Sequence, residues 1–108
     1  SGIWVMPSEV AAHLRTHPGV VSAFVTTRLD DSDERRLVAY VVPRDGSLVE
    51  ESSLMAYCGA LPLHMIPSTV VVMSELPLLP NGKVNRRGLP TPRWRGEVRR
   101  SVQQSALY

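Results

Sequence analysis

The chain of 108 residues holds one cysteine, one lysine and one phenylalanine. Each scarcity excludes something. A lone cysteine, Cys58, cannot close an internal disulfide, and its neighbours Leu54, Met55, Ala56, Tyr57 and Leu61 read as the apolar face of a helix, so it is assigned to the core. His13, His17 and His64 stand far apart without partner cysteines or paired carboxylates. No metal-ligand pattern emerges from them, and they are expected at the surface or in caps. A stretch of about 18 apolar residues that could span a membrane is missing, as is a basic leader before an apolar segment. A soluble, cytoplasmic setting with no membrane partner is the expectation. At 44% hydrophobic content a chain of 108 residues supports one modest core. Any catalytic role is therefore a share of a larger site.

The net charge of +2 conceals an asymmetry. Residues 1–82 carry five arginines against nine acids, a net charge of −4, while residues 83–108 carry seven basic residues against one acid, a net charge of +6. Such a block suits an anionic nucleotide, an acidic partner or nucleic acid. Aromatics decide against the last: the tail Arg93-Trp94-Arg95 has a single interleaved ring, too little for base stacking.

Apolar periodicity outlines an α+β fold. Pro7-Ser8-Glu9 predicts a helix start with Ser8 as N-cap, followed by Val10, Ala11, Leu14 and His17 at helical spacing, and Pro18-Gly19 ends it. Val20 to Thr27 and Leu37 to Val42 read as an antiparallel strand pair joined by the charged turn Asp30-Asp31-Ser32-Asp33-Glu34-Arg35-Arg36. A second helix is expected from Ser52 or Ser53 to Leu61, with Leu54, Tyr57, Cys58 and Leu61 facing inward. Thr69 to Met73 is a near-continuous apolar strand expected to be central or well covered. The predicted architecture is a small three-stranded, mainly antiparallel sheet from residues 20–28, 36–43 and 68–73, covered by helices near 8–17 and 52–61. A short extended pair is a further expectation at the start, where Gly2-Ile3-Trp4-Val5-Met6 opens without a cap and reads as a cut through a longer protein.

Against eleven arginines, the one lysine sits in Asn81-Gly82-Lys83-Val84-Asn85-Arg86. Arginine carries the general charge; Lys83 is placed where a compact charge on a flexible stem can enter a pocket that a planar guanidinium cannot. Asn81-Gly82 supplies a tight turn that presents it. The alternative reading is a solvated lysine after an ordinary hairpin turn.

Four blocks in order resemble a known family. Pro7-Ser8-Glu9-Val10 through His17-Pro18-Gly19-Val20, Leu37-Val38-Ala39-Tyr40-Val41-Val42, Leu61-Pro62-Leu63-His64-Met65-Ile66-Pro67 and Leu76-Pro77-Leu78-Leu79-Pro80-Asn81-Gly82-Lys83-Val84-Asn85-Arg86 are similar to the C-terminal subdomain of nonribosomal peptide synthetase adenylation domains. That superfamily includes acyl-CoA synthetases and luciferases. The resemblance implies a mobile lid over residues 1–92 and, at 93–108, a linker towards a downstream carrier domain. It implies a partner N-terminal subdomain that holds ATP, Mg2+ and an amino acid or aryl acid. Lys83 is implied as the catalytic lysine of acyl-adenylate formation, with Asn81, Gly82 and Asn85 as loop support. After rotation of the lid, Gly2 and Trp4 are candidates for the face that guides the phosphopantetheine of the carrier domain; the other reading of that segment is an edge strand. Leu89, Pro90 and Pro92 resemble the leucine–proline motif by which the linker packs on the lid.

Three positions depart from the family pattern. Leu79 stands where threonine is usual, Asn85 where aspartate is usual and Trp4 where arginine is usual. A different class of function also fits the chain, namely a non-catalytic docking module for a carrier domain or partner protein. The residues beyond Pro92, with Trp94, Val98, Val102 and Leu107, fit either a short amphipathic helix or a flexible tail.

Overall fold

The computed structural model describes residues 6–45 and 47–94. Helix α1 (Pro7–Arg15) leads into β1 (Val20–Leu29), β2 (Arg35–Pro43), helix α2 (Glu51–Tyr57) and β3 (Thr69–Val72), with single 3-10 turns at Cys58–Ala60, Leu63–Met65 and Arg86–Gly88. The sheet order is β1-β2-β3. β1 and β2 form the predicted antiparallel pair, in register from Ser22 opposite Val42 to Leu29 opposite Arg35, with a register shift between Ser22 and Val20, which lies opposite Pro43. β3 runs parallel to β2, Val38 opposite Thr69 and Val41 opposite Val72, so the sheet is mixed. A parallel return needs a crossover long enough to carry a helix, and α2 occupies it.

β2 is central and β3 lies at an edge, contrary to the central place open to Thr69 to Met73. The reason is visible in burial: Leu37 through Val42 are all buried, whereas Val71 and Val72 are only half-buried. Side-chain alternation sends Leu37, Ala39 and Val41 to one face and Val38 and Tyr40 to the other. On the first face α1 and α2 close the main core, where Val10, Leu14, Leu54 and Cys58 are fully buried beside Val25 and Val70. On the second face no helix packs among the described residues; the chain from Leu76 to Trp94 covers it with Leu89 and Trp94, aided by Leu76 and Val84. Packing therefore reaches Trp94, just past the expected linker boundary.

Helix ends differ from the expected ones. The N-cap of α1 is Met6, not Ser8, because Pro7 at the first helical position has its φ preset and lacks the N–H that a cap would satisfy. α1 stops at Arg15, and the next turn is held by His17, whose Nδ1 accepts the Gly19 N–H at 2.9 Å. α2 gives way to 3-10 geometry at Cys58, so Leu61 falls beyond the helix and is half-buried. Tyr57 is also half-buried: it stacks on His13 at 4.7 Å and meets His17 edge-on at 4.8 Å, pinning α1 to α2.

The charged β1–β2 turn is built around Asp30, whose Oδ1 accepts the N–H groups of Ser32 and Glu34 at 2.8 and 3.0 Å. Its other oxygen pairs with Arg36 Nε at 2.8 Å. That hydrogen bond, above all, holds the Asp30 carboxyl below its usual pKa.

Candidate functional site

The lysine loop is a small hairpin whose geometry follows from its residues. Leu79 accepts the Gly82 N–H at 2.8 Å across Pro80 and Asn81, and proline suits the first corner because its φ is preset. Gly82 then takes φ 89°, a left-handed value that glycine adopts without penalty. The turn closes with Leu79 N–H donating to Lys83 O at 2.7 Å, giving the three-residue loop with a glycine bulge common in hairpins. Below it Leu78 pairs with Val84, and Asn85 N–H donates to Pro77 O at 2.8 Å. Asn81 contributes its side chain as well: Oδ1 accepts the Lys83 N–H at 3.0 Å.

Asn81, Gly82 and Lys83 are all exposed at the hairpin tip, while Asn85 is half-buried at its base. Among the described residues Lys83 has no salt-bridge partner. Its ammonium is thus uncommitted among the described residues. Leu79 is 40% exposed and Leu78 60%, so both leucines face outward. At the hairpin base an open groove of about 420 Å³ is lined by Met73, Glu75, Leu76, Pro77, Leu78 and Gly88. Gly88 sits so close to Pro77 that an added Cβ would lie 3.0 Å from the proline Cβ.

Beyond the hairpin the chain lies on the second face of the sheet. Leu89 is 5% exposed and Pro92 is buried. Pro90 is exposed, but its carbonyl accepts the Tyr40 hydroxyl at 2.9 Å and Arg28 Nη1 at 3.4 Å. Arg28 also donates to Tyr40 Oη at 2.9 Å and to Leu89 O at 3.5 Å. Thr69 Oγ1 donates to Arg93 O at 3.5 Å, and Arg86 Nη2 donates to Thr26 Oγ1. Burial pushes the Tyr40 hydroxyl pKa up, an effect that its bond from Arg28 opposes.

The fold gathers Asn81, Gly82, Lys83 and Asn85 into one hairpin and seats Leu89, Pro90 and Pro92 against the sheet. Gly2 and Trp4, the initial extended pair and the tail from residue 95 lie outside the described residues. Thr26, Arg28 and Tyr40 were not singled out from the sequence, although the two-residue period of β1 puts Thr26 and Arg28 on one face. Among the described residues no three histidine, cysteine, aspartate or glutamate side chains gather as a metal site.

The profile of the AMP-binding enzyme C-terminal domain matches residues 9–83, and the chain belongs to that family, the small subdomain of adenylate-forming enzymes. Within it the chain stands with nonribosomal peptide synthetases. It is 41% identical over 85 residues to tyrocidine synthase 2 of Brevibacillus parabrevis, covering 78% of this chain and 2% of the synthase. It is 42% identical over 92 residues to a dimodular nonribosomal peptide synthase of Bacillus subtilis (strain 168), covering 84% of this chain and 4% of that protein. ATP-bound MatB from Rhodopseudomonas palustris superposes with a TM-score of 0.71 at 25% identity, over 80% of this chain and 17% of MatB. A holo four-domain nonribosomal peptide synthetase bound to AMP and glycine superposes with a TM-score of 0.67 at 26% identity, over 82% of this chain and 6% of that structure. The chain thus spans a few per cent of the length of these synthetases.

Proposed function

We propose that this chain is the mobile lid of an ATP-dependent adenylation domain acting on an amino acid or aryl acid, and that Lys83 serves the first half-reaction. The observation that carries the reading is the geometry of one lysine: exposed, without an ion-pair partner among the described residues and held at the tip of a hydrogen-bonded hairpin. In adenylate formation a carboxylate oxygen attacks the α-phosphorus of ATP, a P–O bond to the β-phosphate breaks, and pyrophosphate leaves. Two anions must meet for this, so a cation delivered between them offsets repulsion and stabilises the charge that spreads over the transferring phosphoryl group. Asn81 and Gly82 hold the backbone of the tip and Asn85 its base, leaving the ammonium to meet the substrate. The acid, ATP and Mg2+ belong to a larger N-terminal subdomain.

The same lid, rotated, presents a different face to the phosphopantetheine thiol of a carrier domain, so that one element serves two half-reactions. Gly2 and Trp4 are proposed for that face, and Leu89, Pro90 and Pro92 for anchoring the linker that leads to the carrier. The outward Leu78 and Leu79 favour a docking role as a second reading, in which Lys83 carries no chemistry.

Lys83→Ala in the complete enzyme separates the two. Adenylate formation, measured as pyrophosphate exchange, is expected to fall by about 10²–10³-fold. Transfer from a supplied acyl-adenylate to the carrier thiol should persist. Lys83→Arg should rescue only in part, because the planar fork does not replace a point charge. Unchanged exchange in Lys83→Ala would leave the docking reading.

A further inference from the structure

The hairpin that carries Lys83 is short, and two-stranded hairpins of this size are marginal on their own. Something must fix its direction relative to the sheet. Val84 packs into the second apolar cluster on one side of the hairpin. Three residues after Lys83, the Arg86 guanidinium donates to the hydroxyl of Thr26 in β1.

Thr26 is an unusual residue for its place. It is 6% exposed, one of two buried polar side chains among the described residues, and its neighbours on that face are Phe24, Val38 and Tyr40. A buried hydroxyl in such surroundings is costly unless it has a partner. Arg86, itself exposed, supplies one. Two residues along the same face of β1, Arg28 reaches the carbonyls of Leu89 and Pro90. The chain leaving the hairpin is therefore tethered to β1 twice. Three residues of extended chain span at most roughly 10 Å, so the first tether bounds the excursion of the Lys83 backbone.

We propose that Thr26 and Arg86 form a positioning pair that aims the Lys83 hairpin, so that lysine and sheet move as one body when the lid turns. Neither residue touches the reacting atoms; both act through Lys83. The inference rests on the adenylation reading, and its test is built so that the two can fail separately.

The experiment uses the complete adenylating enzyme with Thr26→Val, which keeps the shape and removes the hydroxyl, and Thr26→Ser, which keeps the hydroxyl. Thr26→Val should lower kcat for pyrophosphate exchange about tenfold, the scale of one lost charge-assisted hydrogen bond. The acid KM and the transfer half-reaction should stay near those of the parent, and Thr26→Ser should restore the rate. Because the pair acts through the lysine, adding Thr26→Val to Lys83→Ala should cost nothing further. The inference is overturned by a fully active Thr26→Val enzyme, by loss of both half-reactions together with Tm, or by a further fall in the Lys83→Ala background. An unaffected Lys83→Ala enzyme would overturn the adenylation reading and this inference with it. A crippled Lys83→Ala enzyme beside an unaffected Thr26→Val enzyme would overturn this inference alone.

Discussion

Tyr40→Phe tests how the C-terminal segment is held. The ring of Tyr40 is fully buried, and phenylalanine preserves its packing. What disappears is a hydroxyl that donates to Pro90 O at 2.9 Å and accepts from Arg28 Nη1 at 2.9 Å. A neutral hydrogen bond contributes about 0.5–1.5 kcal/mol net, and one to a charged partner about 1.5–3 kcal/mol. Arg28 keeps its longer contacts to the Leu89 and Pro90 carbonyls at 3.5 and 3.4 Å, which recover part of the second contribution. The expected loss is therefore about 1–2 kcal/mol, and each kcal/mol lowers Tm by about 4–8 °C in a domain of this size. Urea titration should show a lower midpoint with the same slope, since the area exposed on unfolding hardly changes.

The alkaline limb gives an independent reading of the same hydroxyl. Burial raises its folded pKa above the ordinary value of 10.0, and Arg28 draws it back in part. The unfolded chain therefore loses this proton first. The contribution of Tyr40 is fully present below pH 10.0 and is lost as pH rises through the folded value. The parent should lose stability above pH 10 more steeply than Tyr40→Phe. A variant with the parent's Tm and the parent's alkaline slope would refute the argument that this hydroxyl secures the segment.

Two further outcomes are expected. Gly82→Ala meets open space but must hold φ 89°, so the cost is backbone strain of about 1–2 kcal/mol confined to the hairpin; amide exchange at Leu79 and Lys83, whose N–H groups are bonded within the loop, should quicken while that of β2 stays constant, and unchanged exchange would show the turn indifferent to its residue. Cys58 is fully buried and burial raises its thiol pKa, so iodoacetamide at pH 8 should label it only as fast as the domain opens; rapid labelling of the native chain, followed by mass spectrometry, would contradict its place in the core.

The elements legible in the amino-acid sequence were those decided by neighbours in the chain. Helical spacing in Val10, Ala11 and Leu14 and the β-branched runs of β1 and β2 located α1 and the antiparallel pair. Asn81-Gly82 announced the turn, because a left-handed residue in a tight loop is a local steric requirement that glycine meets. The fine ends were less legible. Ser8 yielded the cap to Met6 because Pro7 enters the helix first, and α2 changed to 3-10 geometry before Leu61.

Tertiary structure alone decided the rest. Nothing local says that β3 returns parallel to β2 at an edge, since an apolar strand satisfies its ladder in either direction. Thr26 and Arg86 are 60 residues apart, and Tyr40 and Pro90 are 50 apart. Such partners become neighbours only after the sheet has formed and the last segment has crossed its second face. The sequence by itself supplied Lys83, its turn and the apolar pattern of the core; the fold supplied the contacts that aim the turn, because a buried hydroxyl or carbonyl takes its partner from whatever chain closes over it.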